Sequence, residues 1–229
     1  MAHAATLKTT QTGVRINRFL ALVYLVMALG MVVTALVSTW VGTNEALVLR
    51  IVYNPWVAFG LFMIQIIVVF ALSAAVMRLS PAVAFLLFIF YAALTGVAIS
   101  TIFIYYSQSQ IYYTFWLAAG MFLFTSIIGL FIKRDLSGLG LFLIMALMGY
   151  LFGWFILWLF PTPGLNQLMN FSGILLFAGL TVWDTQRLKL LASQLEGRQG
   201  MGGMVVLGAL SLYLDFINLF LLLLRTSRR

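Results

Sequence analysis

The chain has 229 residues, of which 64% are hydrophobic and 8% are charged. Soluble domains are about 45–50% apolar, so this composition excludes a soluble globular protein and indicates a polytopic membrane protein with one membrane domain. The formal charge of +8 is the excess of 13 Lys and Arg over five Asp and Glu, and the basic residues lie at the ends of apolar runs, so nucleic-acid binding is not expected. The chain has no cysteine, which excludes disulfides and thiolate metal sites.

The apolar segments predict an all-α membrane protein with seven transmembrane helices. Residues 1–18 are polar, and the apolar run after them is too long for a signal peptide, so they are predicted to form a cytoplasmic N-terminal segment. Residues 19–225 are predicted to form the transmembrane domain, and 226–229 a short basic tail. Each span has about 20 residues, enough to cross a bilayer as a helix. The predicted spans are 19–40, 55–77, 81–105, 113–132, 139–160, 168–188 and 204–224.

The segments between the spans contain polar and turn-forming residues, and Pro55 and Pro81 stand where a helix can begin. Small residues recur at helical spacing in the third span, at Ala92, Gly96 and Ser100. In lipid such residues let helix backbones approach closely. They predict close packing within the chain, with a dimer face as the alternative.

The basic residues predict a cytoplasmic N-terminus. Only Arg50 and the tail residues fall on the opposite side in that orientation. The basic tail does not fit this orientation, because seven spans place it on the opposite side of the membrane. Six spans plus a re-entrant segment would place the tail in the cytoplasm. Seven spans are preferred because the last segment is too apolar to lie in water. The basic residues placed on the cytoplasmic side are Lys8, Arg15, Arg18, Arg78, Lys133, Arg134, Arg187, Lys189 and Arg198.

Two of the five acidic residues, Asp184 and Asp215, fall inside predicted spans, where a charge is costly to bury. In the last span, Gly208, Ser211, Asp215 and Asn218 form one stripe of small or polar side chains at helical spacing. This stripe is predicted to face the interior of the bundle or a hydrated cavity. The other three acids, Glu45, Asp135 and Glu196, are predicted to be solvated loop charges.

Asp184 lies near the cytoplasmic end of the sixth span and shares a face with Thr181 and Arg187. Because consecutive spans are antiparallel, Asp184 and Asp215 approach from the same side, and contact between them is possible. Burial disfavours ionisation, and two carboxyl groups within hydrogen-bond reach share one proton. Such a pair would be a proton sensor, closed at low pH and pushed apart at high pH. The alternatives are an ion pair of Asp184 with Arg187 and a purely structural hydrogen bond of Asp215.

The pair also suggests a weak cation site. Oxygen-rich clusters suit Ca²⁺, but the two aspartates with Ser211 and Asn218 provide fewer than the usual six to eight oxygens. Transient coordination of a passing calcium ion is therefore expected, with no resident cofactor. Arg78, at the cytoplasmic end of the second span, is a terminal basic residue on the side where it can reach the pair.

Four segments resemble the transmembrane Bax inhibitor motif family, particularly its bacterial branch. They are WDTQRLKL at 183–190, GALSLYLDFINLFLLLLR at 208–225, YAALTGVAIS at 91–100 and KRDLSGLGLFL at 133–143. The resemblance implies a seven-helix bundle whose last helix is enclosed by the other six, and a pH-sensitive calcium leak in a bacterial inner membrane. It implies that Asp184 and Asp215 form the sensor and that Arg78 acts as a gating latch. One departure is a long, glycine-rich connection between the sixth and seventh spans.

Two other functions are possible for a membrane protein with this pattern of residues. A regulatory membrane protein, which binds other membrane proteins or a membrane protease, is the alternative. An intramembrane aspartyl protease is not expected, because such enzymes carry a Gly-x-Gly-Asp element and Asp215 follows Leu-Tyr-Leu. The sequence therefore predicts a protein that is not an enzyme, with membrane lipid, calcium ions, protons and membrane proteins as partners.

Overall fold

The computed structural model describes the backbone of residues 2–75, 78–194 and 201–227, and side chains from residue 16 onward except at positions 75 and 163. The protein is 91% helical, and no β-strand occurs within these ranges. The predicted all-α class is therefore confirmed. In chain order the helices are α1 Ala2–Gly42, α2 Glu45–Tyr53, α3 Pro55–Ala75, α4 Pro81–Ile99, α5 Ile102–Tyr105, α6 Gln108–Phe131, α7 Ser137–Leu159, α8 Pro163–Gln194 and α9 Met201–Thr226.

In the described part of the chain, seven helical segments are long and apolar enough to cross a membrane. They are α1 from Ile16, α3, α4 continued by α5, and α6 to α9. The protein is thus an integral membrane protein with seven candidate spans. Its orientation, with the N-terminus in the cytoplasm, stays a prediction.

Local capping explains where several helices begin. Pro55 and Pro81 begin α3 and α4, as the sequence predicts. α6 begins at Gln108, earlier than the predicted residue 113. The reason is a capping box, in which the side chains of Ser107 and Gln110 each accept a hydrogen bond from the backbone N–H of the other.

The last two spans are longer than predicted. α8 runs from Pro163 to Gln194, and α9 begins at Met201. The predicted long connection between them is therefore wrong, because Gly202 and Gly203 lie inside α9 and only positions 195–200 remain between the two helices. The predicted loop residues Glu196 and Arg198, the tail residues Arg228 and Arg229, and the side chains of Lys8 and Arg15 lie outside the described residues.

α9 is the most buried candidate span in the described chain. In an apolar 18-residue stretch of α9, 67% is buried, whereas the share is 11–39% in the corresponding stretches of the other candidate spans. Many large apolar side chains on the other helices are exposed, as expected for a surface in contact with lipid. Enclosure of α9 by six helices stays a prediction.

The described chain divides into two compact units, and the first contains α1 to α5 with α9 up to Tyr213. Within it, α1 packs closely against α4. A Cβ added at Gly96 would lie 2.8 Å from the carbonyl oxygen of Thr34, and Ala92 is fully buried. The close packing within the chain that the small residues predict is therefore confirmed for this stripe.

A buried hydrogen-bond network joins helices of this first unit. Thr34 Oγ1 donates to the carbonyl oxygen of Ala92 at 2.9 Å and lies 2.6 Å from the hydroxyl of Tyr213. Since Thr34 has one hydroxyl proton, Tyr213 is the donor of the second bond. Gln65 of α3 donates to Thr95 of α4 at 3.2 Å.

The second unit contains α6, α7, α8 up to Leu190 and the rest of α9. Phe216 of α9 packs edge-on against Phe115 and Phe122 of α6, with ring centroids 5.6 Å and 5.7 Å apart. At the end of α9, the guanidinium of Arg225 lies 4.9 Å from the ring centroid of Trp154 of α7. The end of α9 therefore lies beside the last part of α7.

Candidate functional site

Asp184 lies on a buried polar face of α8. Its side chain is 6% exposed, and Thr181 and Thr185 beside it are fully buried. Thr185 Oγ1 donates to Ser126 of α6 at 3.4 Å, so this face packs against α6. Arg187 is exposed, and its guanidinium lies 5.2 Å from the ring centroid of Trp183. The predicted inward orientation of Asp184 is confirmed.

Asp215 occupies the middle of α9 and is 5% exposed. Its Oδ2 atom is buried and has no hydrogen-bond partner within the described part of the chain. The packing of Phe216 against α6 fixes the rotation of α9 at this level. Asn218, one turn further on, is half-buried and donates to the carbonyl oxygen of Leu214 at 2.8 Å. The polar stripe of α9 therefore faces the protein interior at Asp215, as predicted.

The two aspartates belong to the same unit. The structure thus places two buried carboxyl groups, one on α8 and one on α9, in the same unit. Among the described residues, no group of three or more His, Cys, Asp or Glu could hold a metal ion. Weak coordination of calcium at the two aspartates stays a prediction.

The remaining predicted site residues lie in the first unit. Arg78 is exposed in the turn between α3 and α4. Ser211 is half-buried on the first part of α9. The latch role of Arg78 and the supporting role of Ser211 stay predictions.

Gln186 is a neighbour of the pair that the sequence analysis did not single out. Its side chain is 4% exposed and holds the connection between α6 and α7. Nε2 donates to the carbonyl oxygens of Ile132, at 3.3 Å, and of Arg134, and Oε1 accepts from the N–H of Leu136 at 3.2 Å. The sequence gives only a weak signal for this role of Gln186. The N-cap residue of α7 is Leu136, whose side chain makes no capping hydrogen bond.

Lys189, one turn after Gln186, completes this attachment. Its ammonium group donates to the carbonyl oxygen of Leu130 at 2.6 Å, in the last turn of α6. A cation is favoured there because the last carbonyls of a helix are unpaired and carry partial negative charge. The end of α8 next to Asp184 is therefore tied to the end of α6 and the start of α7.

Comparison with known proteins identifies the family of this chain. The family model described as "Inhibitor of apoptosis-promoting Bax1" matches residues 16–227. The inner membrane protein YbhL of Escherichia coli K12 is 40% identical over 213 residues, which cover 92% of this chain and 91% of that protein. An uncharacterised membrane protein of Streptococcus pyogenes serotype M3 is 36% identical over 222 residues, 96% of each chain. The chain therefore belongs to the Bax inhibitor-1 family of membrane proteins.

Proposed function

We propose that the protein is a pH-sensitive cation leak of a bacterial inner membrane, with calcium as the permeant ion and Asp184 and Asp215 as its proton sensor. The observation that carries the proposal is the burial of these two carboxyl groups in one unit, on consecutive spans. Ionisable residues inside membrane spans usually mark ion or proton pathways. The name of the E. coli relative supports the inner membrane as the location.

The chemistry of gating follows from the charge state of the pair. Two carboxylates 4 Å apart repel by about 4 kcal/mol where the effective dielectric constant is ~20. One shared proton replaces this repulsion by a hydrogen bond, so acidification favours contact between α8 and α9. Deprotonation separates the helices and opens the pathway. The unpartnered Oδ2 of Asp215 offers a position that a proton or a passing cation fills.

Calcium flux in proteoliposomes tests the proposal. We expect flux to rise with pH for the wild type and to lose its pH dependence in Asp215→Asn and Asp184→Asn. The matched control is Asp135→Asn, which removes an exposed carboxylate of the same unit outside the pair. A wild-type flux profile in Asp215→Asn would reject the sensor, and a folded wild type without calcium flux at any pH would reject the leak.

Arg78 tests the latch separately. If its guanidinium holds the pair in the closed state, Arg78→Gln raises the flux at low pH while the response to Asp215→Asn persists. The control is Arg50→Gln, which removes another exposed basic side chain of the first unit. An unchanged low-pH flux in Arg78→Gln would remove the latch from the proposal and leave the sensor in place.

A further inference from the structure

One end of the second unit brings together four basic residues from two distant parts of the sequence. We call Lys133, Arg134, Arg187 and Lys189 the basic cluster. Gln186 holds the carbonyl oxygens of Ile132 and Arg134, and Lys189 holds that of Leu130. These contacts are to main-chain atoms, so the α6–α7 connection and the end of α8 are fixed to each other whatever Lys133, Arg134 and Arg187 bind.

The cluster keeps a net positive charge available at its surface. Lys133, Arg134 and Arg187 are exposed. The nearby carboxylate of Asp135 accepts hydrogen bonds from the N–H and the hydroxyl of Ser137, at 2.9 Å and 2.6 Å, and these bonds lower its pKa. Asp135 is therefore an anion that binds Ser137, the first residue of α7. Four cations and this one carboxylate leave a charge of +3.

The guanidinium of Arg187 lies over an aromatic ring. It lies 5.2 Å from the ring centroid of Trp183. A guanidinium over an aromatic ring makes a cation–π contact, and its five N–H donors suit the oxygens of a phosphate group. Arg187 is thus a positioned donor for phosphate oxygens.

The location of the cluster decides which anion fits. α6 ends at Phe131 and α7 begins at Ser137, so two spans leave the hydrocarbon of the bilayer at this point. Phe131, Leu139 and Leu190 expose large apolar side chains next to the cluster in sequence. A molecule with a phosphate group at the membrane surface and acyl chains beneath it matches both features, whereas a soluble anion matches only the first.

We propose that the basic cluster binds the headgroup of an anionic phospholipid, with the lipid chains against the exposed apolar side chains of α6, α7 and α8. Each basic residue near a membrane surface strengthens such binding about fivefold. The site is independent of the proton sensor, because it uses exposed side chains that the proposed leak does not require.

Lipid retention by the full chain in nanodiscs tests the proposal. Native mass spectrometry compares phosphatidylglycerol with zwitterionic phosphatidylcholine for the wild type and for the triple variant Lys133→Gln, Arg134→Gln, Arg187→Gln. These side chains are exposed, and Gln186 contacts only the carbonyl group of Arg134, so we expect the triple variant to fold. We expect about 100-fold weaker retention of phosphatidylglycerol and unchanged retention of phosphatidylcholine.

The location control is Arg225→Gln. Arg225 is exposed and contacts Trp154, which lies roughly 25 Å along α7 from Ser137 at 1.5 Å per residue. It should retain phosphatidylglycerol like the wild type. If the triple variant unfolds, Lys133→Gln and Arg134→Gln alone should each weaken retention about fivefold.

Three results would overturn the proposal. One is equal retention of phosphatidylglycerol by the wild type and the folded triple variant, or by the wild type and both single variants. Another is equal retention of the two lipids by the wild type. The third is displacement of bound phosphatidylglycerol by millimolar inorganic phosphate, which would identify a site for soluble anions. If phosphate leaves the lipid bound, the lipid assignment stands.

Discussion

Gly129→Ala tests how closely α6 and α8 pack beside Asp184. A Cβ added at Gly129 would lie 2.9 Å from the Cβ of Thr185 and closer still to the carbonyl oxygen of Val182. Neither atom can rotate away, because one belongs to the backbone of α8 and the other is attached directly to it. The two helices must therefore separate locally. Gly120 of the same helix provides the control, since a Cβ added there meets no atom within 4 Å.

Gly129→Ala should lower the free energy of unfolding, whereas Gly120→Ala should not. Replacing Gly by Ala within a helix stabilises it by about 0.5–1 kcal/mol. Overpacking costs about 1–3 kcal/mol, so Gly129→Ala should lower the free energy of unfolding by up to about 2.5 kcal/mol. Gly120→Ala should leave it unchanged or raise it by up to about 1 kcal/mol.

The assay is reversible unfolding in mixed micelles, followed by far-UV circular dichroism as the fraction of denaturing detergent rises. Equal stability of the two variants, or greater stability of Gly129→Ala, would refute the close contact. Because Asp184 stands between Val182 and Thr185 on α8, Gly129→Ala should also shift the pH midpoint of calcium flux. Gly120→Ala should not shift it.

Three further predictions concern hydrogen bonds. Gln186→Leu removes the three bonds to the α6–α7 connection and should lower the free energy of unfolding by about 1–3 kcal/mol. The cost stays in this range because the groups that lose these bonds are partly exposed and can form hydrogen bonds with water. Tyr213→Phe removes the buried bond to Thr34 and should lower the free energy of unfolding by about 0.5–1.5 kcal/mol. Thr34→Val should lower it more, because it also leaves the Tyr213 hydroxyl without Thr34 as its acceptor. Two bonds from Ser137 lower the pKa of Asp135 below its ordinary value of 3.8, so the stabilisation is present above that pH and is lost as the pH falls through the lower, folded-state pKa.

Each of these has its own measurement and control. For Gln186→Leu, hydrogen exchange at the Leu136 amide should accelerate, and Gln194→Leu, at an exposed site late in α8, should have no effect. For Thr34→Val, the control is Thr39→Val, since Thr39 is exposed and donates only within its own helix. A Thr34→Val variant as stable as Tyr213→Phe would contradict the donor assignment. An NMR titration midpoint of Asp135 at or above 3.8 would contradict the third prediction.

The spans and the inward face of the last helix could be predicted from local pattern. A bilayer accepts an apolar helix of about 20 residues whatever its neighbours are, so hydropathy along the chain predicts seven spans. The stripe containing Asp215 could be predicted to face inward because a carboxyl group in hydrocarbon is costly and the helical period places Ser211 and Asn218 on the same face. Both predictions depend on segments that are continuous in the chain.

Contacts between distant segments could not be predicted in this way. The three bonds of Gln186 join α8 to groups about fifty residues earlier in the chain, and they attach the segment that contains Arg134 to the helix that contains Arg187. No local periodicity encodes them, since they depend on the rotation and depth of one helix against another. Side-chain packing sets that rotation, as Gly129 against Val182 and Phe216 against Phe122 show. Hydropathy therefore predicts which segments enter the membrane, and packing determines which of their polar groups meet.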